Sequence, residues 1–299
     1  MTNRIFRTLQ WNIGGGLRRQ PASDPLSRES YCAHDLEHIL NVIDFIRELH
    51  TQRPEIITFQ EAHQDEALDQ VECLANAFGY EFRADPYADS HLEEDKKLCL
   101  GIMSLFPIKE HTYHKLENPK FSRTLNGKER TCNDKGLTRT KLNVYGRTLD
   151  IINLHLVPCI WYGINPLSKV TKEMRRNVIT TMGTPSACTI AQGDFNYDDE
   201  TLTEFLPSLF DEDGFSEVLQ RYPTRPDGKR VDHVLYRGIH VVSSYVVAPD
   251  GRLYQNEILT DHYPIVTTFT IEGCTDNYLL PIIKPLPDPK NDRKCFTMH

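Results

Sequence analysis

A set of short segments ends each apolar run on a side chain able to hold a metal, a phosphate or a proton. They are Gln10-Trp11-Asn12, Phe59-Gln60-Glu61, Asn153-Leu154-His155, Gly193-Asp194-Phe195-Asn196, Val231-Asp232-His233 and Thr260-Asp261-His262. Asp194 and Asn196 are two residues apart, so in extended backbone both leave on one face. A carboxylate beside a carboxamide suits a hard cation, an attacking water or a bound phosphate. Gly193, without a Cβ, lets the backbone approach a ligand closely. The same residues are ordinary turn formers, and taken alone the segment reads equally as an Asx-rich turn after a strand. A lone His155 in an apolar strand reads equally as a core histidine. The strand ends make a site only if the fold gathers them on one edge.

The elements that would carry these residues are legible from periodicity. Residues 4–12, 55–61, 80–83 and 98–103 read as strands, and 138–145 with 148–156 as a hairpin turning at Gly146-Arg147. Strands are also expected at 187–190, 231–236, 239–247 and 265–271. Leu36, Ile39, Leu40, Ile43, Ile46 and Leu49 recur at helical spacing and predict a helix over 34–50. Further helices are expected over about 66–78, 166–182 and 200–209, and residues 85–97 and 118–136 read as loops, the latter carrying the turn signal Asn126-Gly127. Strands outnumber helices, and no linker divides the first 272 residues. Two sheets packed face to face with helices outside would bury a core of this size. The expected organisation is one domain over 1–272 and a Pro-rich tail over 273–299.

Composition narrows the class. With 39% hydrophobic and 25% charged residues among 299, the chain has ample core material, and its net charge of −8 argues against indiscriminate binding along a polyanion. The eight cysteines form no C-x-x-C pair, which fits buried thiols better than a disulfide framework or zinc site. No leader-like apolar region follows Met1, and no apolar run reaches membrane-spanning length. A cytoplasmic, monomeric protein is expected. Cys295-Phe296-Thr297-Met298 would read as a prenylation box were it terminal, but His299 follows it.

In this order, the strand-end motifs resemble the endonuclease/exonuclease/phosphatase superfamily, the deoxyribonuclease I-like group, over roughly residues 5–271. The resemblance implies an α+β fold, a four-layer α/β/β/α sandwich of two mostly antiparallel sheets flanked by helices. It also implies hydrolysis of a phosphoester by activated water with Mg²⁺ or Mn²⁺. Glu61 would anchor the metal, since hard cations prefer carboxylate oxygen, with Asn12 and Asp261 in support. Asp194 would orient or deprotonate the water, and Asn196 would donate to a phosphate oxygen. His262 would polarise the phosphate while Asp232 fixes its tautomer. His155 would be a second phosphate donor or the acid that helps the leaving oxygen. Arg139, by the same resemblance, would reach the phosphate, or else be an exposed hairpin arginine.

Two further features border the motifs. Arg225, Lys229 and Arg230 precede Asp232 and form either a basic rim or a solvated loop. Trp161 follows His155 closely and either stacks on a base, touches a lipid or packs. Fold and chemistry do not choose a substrate. The Pro-x-Trp-Cys-Asp-Arg signature usual in inositol phosphatases is missing at residues 229–233, and the secretion signal usual in sphingomyelinases is missing too. The expected substrate is a nucleic acid or nucleotide-like phosphodiester. A phospholipid or phosphoinositide is the alternative, and an inactive binding protein on the same fold is the alternative of another class.

Overall fold

The computed structural model describes residues 2–16, 53–66, 68–92, 94–247 and 260–274. In chain order the strands are β1 (Thr2–Asn12), β2 (Ile56–Gln64), β3 (Glu81–Asp89), β4 (Lys97–Ser104), β5 (Ile108–Lys115), β6 (Ser122–Leu125) and β7 (Lys128–Thr131). They continue with β8 (Gly136–Val144), β9 (Arg147–His155), β10 (Thr189–Asp194), β11 (Ser216–Glu217), β12 (Asp232–Arg237), β13 (His240–Val246) and β14 (Ile265–Cys274). One six-stranded sheet has the order β13-β14-β1-β2-β4-β3, the other β11-β12-β10-β9-β8-β5, and β6 pairs with β7 alone. Pairing is antiparallel except at β1–β2 and β9–β10. Those parallel pairs sit inside their sheets, and each sends its C-terminal ends to a common edge.

Helices α1 (Gln70–Phe78) and α2 (Lys172–Met182) cover the outer faces. Asp69 caps α1 by accepting from the amides of Val71 and Glu72, and Gly79 ends it at φ 69°. Val71, Leu74 and Phe78 bury against Leu9, Trp11, Ile57 and Phe59 of the first sheet. Each such side chain contributes about 1.5–3 kcal/mol. Met174, Val178 and Met182 of α2 bury against Ile152, Leu154 and Ala191 of the second.

Between the sheets, each strand's inner face changes character along its length. Phe6, Ile56, Ile151, Ile190 and Phe269 share an apolar cluster at one end. Toward the other end the same faces continue as Thr8, Gln10 and Asn12, as Thr58 and Gln60, as Asn153 and His155, and as Gln192 and Asp194, all buried. These groups satisfy one another across the sheets. Gln10 Nε2 donates to Gln60 Oε1 at 2.7 Å, and Gln60 Nε2 donates to Asn153 Oδ1 at 2.6 Å. Asn153 Nδ2 donates to the carbonyls of Phe59 and Gly101. Gln192 accepts from Thr8 Oγ1 at 2.9 Å and donates to Thr58 Oγ1 at 2.8 Å. A buried group stripped of its partner costs about 1–3 kcal/mol, so the network fixes how the sheets face each other.

Several local expectations are corrected. The helix expected over 34–50, most of the tail and the Cys295 box lie outside the described residues. Strand β3 runs on to Asp89, into the segment read as a loop. The hairpin turns at Tyr145 and Gly146, both left-handed, with Val144 paired to Arg147. Within the loop read over 118–136, β6 and β7 form a hairpin turning at Asn126 and Gly127. The helix expected from 166 starts at Lys172, because Thr171 Oγ1 bonds back to the carbonyls of Pro166 and Ser168. No α-helix forms over 200–209, where Pro207 lacks an amide hydrogen and opens a 3₁₀ turn instead. The described cysteines, at 73, 99, 132, 159, 188 and 274, are free thiols. Among the described residues no helix is long and apolar enough to cross a membrane.

One buried ion pair yields a prediction. His233 presents Nδ1 to Glu217 Oε1 at 2.7 Å and Nε2 to the Tyr197 carbonyl at 3.0 Å. Acceptors on both sides require both ring nitrogens to donate. Burial opposes the charge, but the Glu217 carboxylate outweighs it and raises the histidine above its ordinary value. The pair's stabilisation is therefore complete below about pH 6.5 and is lost as pH rises through the raised value. Glu217→Ala leaves a buried charge unpaired and should cost about 3–5 kcal/mol in urea unfolding at pH 6. That deficit should shrink at alkaline pH.

Candidate active site

The ends of the parallel pairs meet over the polar interlayer. Asp194, last residue of β10, lies in register with His155 of β9 and with Asp232 of β12. Asn12 ends β1 and crosses between the sheets, its Nδ2 donating to Asp194 Oδ2 at 3.0 Å. His262 is held above β1: Trp11 Nε1 donates to its carbonyl at 3.0 Å, and Thr260 Oγ1 donates to the Asn12 carbonyl at 2.9 Å. Asp232 is fixed by Gln10 Nε2 at 3.0 Å and by its own amide on Thr224 Oγ1.

At the centre stands a relay. His262 Nδ1 lies 2.8 Å from Asp232 Oδ2, and His262 Nε2 lies 3.7 Å from Asp194 Oδ2. Burial would lower the imidazole, but the Asp232 and Asp194 carboxylates raise it to about 10. Burial likewise pushes Asp194 up to about 6, against the opposing pull of His262, Lys135 and Asn12. At neutral pH the site thus holds an imidazolium, oriented by one carboxylate, facing a second carboxylate of elevated basicity. Ligand atoms of Asp194, Asp232 and His262 lie within 4.8 Å of one another, close enough to share an ion. Asp232 Oδ2 and His262 Nδ1 are, however, already engaged with each other at 2.8 Å.

Glu61 fits a cation better. It sits at φ 54°, inside a β-bulge where the β2–β4 register shifts between Phe59 and Ala62. Left-handed backbone costs a glutamate about 1–3 kcal/mol, and the bulge re-aims its side chain. Its carboxylate is 14% exposed, lies 3.8 Å from His155 Nε2, and accepts no hydrogen bond from a described residue. A shielded carboxylate with no donor among the described residues suits a hard cation.

His155 sits at the same edge. Burial, then the nearby Lys135 ammonium, hold it well below the ordinary imidazole value. Lys135 Nζ, a donor only, lies 2.9 Å from Nε2. Lys135 Nζ also lies 3.4 Å from Nδ1, which is 3.0 Å from Tyr87 Oη. On its other side Nε2 faces Asp194 Oδ2 at 3.5 Å and Glu61 Oε1 at 3.8 Å. The buried cation beside it is Lys135, which also acts on Asp194 through space.

Other expected residues are placed as follows. Asn196 does not share the Asp194 strand face: it lies past the strand end at φ 51°, its amide on Asp194 Oδ1 at 2.9 Å and its Nδ2 on the Leu156 carbonyl. The Asx turn and the site are thus one object. Gly193 gives close approach not to a ligand but to the neighbouring strand, where a Cβ would fall 2.1 Å from the Leu154 oxygen. Asp261 turns toward Arg225, at 3.2 Å. Arg139 turns away from the cluster, donating to the Met182 carbonyl at the end of α2 and lying 3.9 Å from Asp150. Its register partner is Ile152, which faces the helix layer. Arg230 approaches Glu200 at 3.6 Å, and Lys229 pairs with Asp227 at 3.0 Å, so acids balance the expected basic rim. Trp161 lies in the 3₁₀ turn after β9, its ring edge-on to Tyr162 and beneath the Arg123 guanidinium. Lys135, Tyr87 and the interlayer amides escaped the sequence reading. Only the polar period-2 alternation Thr8, Gln10, Asn12 could have shown the last.

A family model described as the Endonuclease/Exonuclease/phosphatase family matches residues 9–262, which span every motif of this edge. The chain belongs to that family. No curated protein sequence matches the chain significantly. Among solved structures, an endonuclease/exonuclease/phosphatase from Beutenbergia cavernae DSM 12333 superposes with a TM-score of 0.61 at 17% identity, covering 91% of this chain and 72% of that one. D. rerio TDP2, complexed with a single-strand DNA product, gives 0.58 at 16% identity, covering 89% and 98%. ANGEL2, described as a 2',3'-cyclic phosphatase and bound to adenosine-2',3'-vanadate, gives 0.60 at 12%, covering 91% and 97%. They share the two-sheet sandwich. Family membership makes phosphoester hydrolysis the class of activity.

The β9–β10 contact makes a sharp test of the edge. Gly193→Ala drives a Cβ into a strand carbonyl and should cost more than about 4 kcal/mol, read as loss of soluble, cooperatively melting protein. Gly79→Ala, whose Cβ meets nothing within 4 Å, should cost only about 1 kcal/mol.

Proposed function

We propose that this endonuclease/exonuclease/phosphatase family member is a phosphodiesterase that cleaves a nucleic acid or nucleotide-like substrate with Mg²⁺ or Mn²⁺. The observation that carries the reading is the Asp232–His262–Asp194 relay, clamped by Asn12 at the joint edge of both sheets. Asp194, a carboxylate of raised basicity, accepts a proton from the attacking water. Asn12 and the Asn196 amide hold that carboxylate in one orientation. His262, kept charged by Asp232, donates through Nε2 to the phosphoryl oxygens, where negative charge grows in the transition state. Lys135 adds a second fixed positive charge beside Asp194, in the role first expected of His155. Glu61 would hold the divalent cation, which when bound supplies Lewis-acid charge to the phosphate. Asn12 serves mainly as the clamp on Asp194, and Asp261 mainly as partner of Arg225. The nucleotide and DNA ligands of TDP2 and ANGEL2 support the substrate class.

Hydrolysis of bis-p-nitrophenyl phosphate with Mg²⁺ or Mn²⁺ tests the chemistry. Asp194→Asn should lower kcat by about 10³ or more in protein that still melts cooperatively. A panel of nucleic acids, nucleotides and phospholipids tests the substrate, and cleavage of lipid alone would overturn the nucleotide reading. Glu61→Gln should weaken Mn²⁺ binding about ten-fold or more, read by titration calorimetry without any substrate. Undiminished Mn²⁺ affinity would remove Glu61 from the metal site.

A further inference from the structure

We infer that one face of the β6–β7 hairpin docks the single-stranded nucleic acid that flanks the scissile phosphodiester. The inference rests on the phosphodiesterase reading. Arg123 stands directly opposite Arg130, and Leu125 opposite Lys128. Opposed residues of an antiparallel pair share a face, so these side chains lie together, while Ser122, Thr124, Glu129 and Thr131 take the other face. Every residue of both strands is exposed.

Like charges placed directly opposite destabilise a strand pair, and a two-stranded hairpin has little stability to spare. Here the cost is borne on the surface of a chain whose net charge is −8. A polyanion laid on this face would remove it. Lys128 and Arg130 are two residues apart along an extended strand, about 6.8 Å, a spacing suited to successive phosphates of an extended polynucleotide.

Both roots of the face reach the candidate site. From β7 the chain continues through Cys132 to Lys135, whose ammonium touches His155. From His155 it continues into the 3₁₀ turn Cys159–Tyr162, where the Trp161 carbonyl accepts from Arg123 Nη1 at 2.7 Å. Glu129 takes the opposite face of the hairpin, and Asp134, between β7 and Lys135, is taken by Lys115 and Lys120. A strand leaving the site on the His155 side would pass over Arg123, Lys128 and Arg130, which have no acid partner among the described residues. The exposed apolar residues here, Leu125 and Ile160, are few beside the charge, which favours a polynucleotide over a bilayer.

The test is binding of fluorescent oligothymidylates, measured by anisotropy in an Asp194→Asn background so that no turnover is needed. Lys128→Gln/Arg130→Gln leaves the Arg123–Trp161 anchor in place. It should weaken binding of a long oligomer about ten-fold or more and reduce the salt slope of log K by about 1.4, the value for two lost phosphate contacts on a single strand. Dinucleotide binding should not change. Equal affinity of parent and variant for the long oligomer overturns the inference. So does selective loss of binding to phosphatidylserine vesicles with oligomer binding intact, which would assign the face to a membrane. If wild-type enzyme cleaves no diester while the anisotropy difference persists, the phosphodiesterase reading fails and the surface stands.

Discussion

Gln10, Gln60, Asn153, Thr58 and Gln192 exchange hydrogen bonds in the space between the sheets, where most sandwiches place only apolar side chains. Three side chains of the candidate site lie two residues beyond one of these amides on the same strand face: Asn12 after Gln10, His155 after Asn153, Asp194 after Gln192. The network therefore sets the position of the site before any catalytic group makes a contact of its own. An apolar interlayer would tolerate small slides of one sheet on the other. Paired amides do not, because a slide leaves buried donors without acceptors.

That rigidity explains how the acidic edge is tolerated. Asp194 and Asp232 face each other in register across β10 and β12, a repulsive placement for buried carboxylates. His262 between them, with Asn12 and Lys135 nearby, supplies the compensation. The result is pre-organisation. Charges that catalysis needs are held apart from water by the fold and do not have to be assembled when substrate arrives.

The sequence reading recovered what periodicity and strand-end chemistry encode. The alternation in β1, the run before Asp194 and the hairpin of β8 and β9 were all visible, and the ordered motifs identified the family. What it missed was decided by tertiary contact. Arg139 and its neighbours alternate faces, and nothing local says which face meets α2. Nothing near His155 in sequence announces Lys135, which reaches its ring from the start of another strand. Thr171 and Pro207 displaced helix boundaries through side-chain and ring effects that a hydrophobic period does not register. Gly193 was correctly read as a site of close approach, but the approaching group is a neighbouring strand.

The bulge at Glu61 has a consequence for how this chain can vary. Side chains in a strand alternate faces with a period of two, and the extra residue at the bulge resets that alternation between the start of β2 and its end. Loss of a single residue there would return Ala62 and His63 to opposite sides, or else send Ile56, Thr58 and Gln60 out of the interlayer. Single-residue length changes in β2 are thus disfavoured by parity, whichever residue is inserted or removed. The turns at Asn126-Gly127 and Gly163 carry no such constraint. Variation in length among related chains should accumulate at those turns, around a β2 of fixed parity.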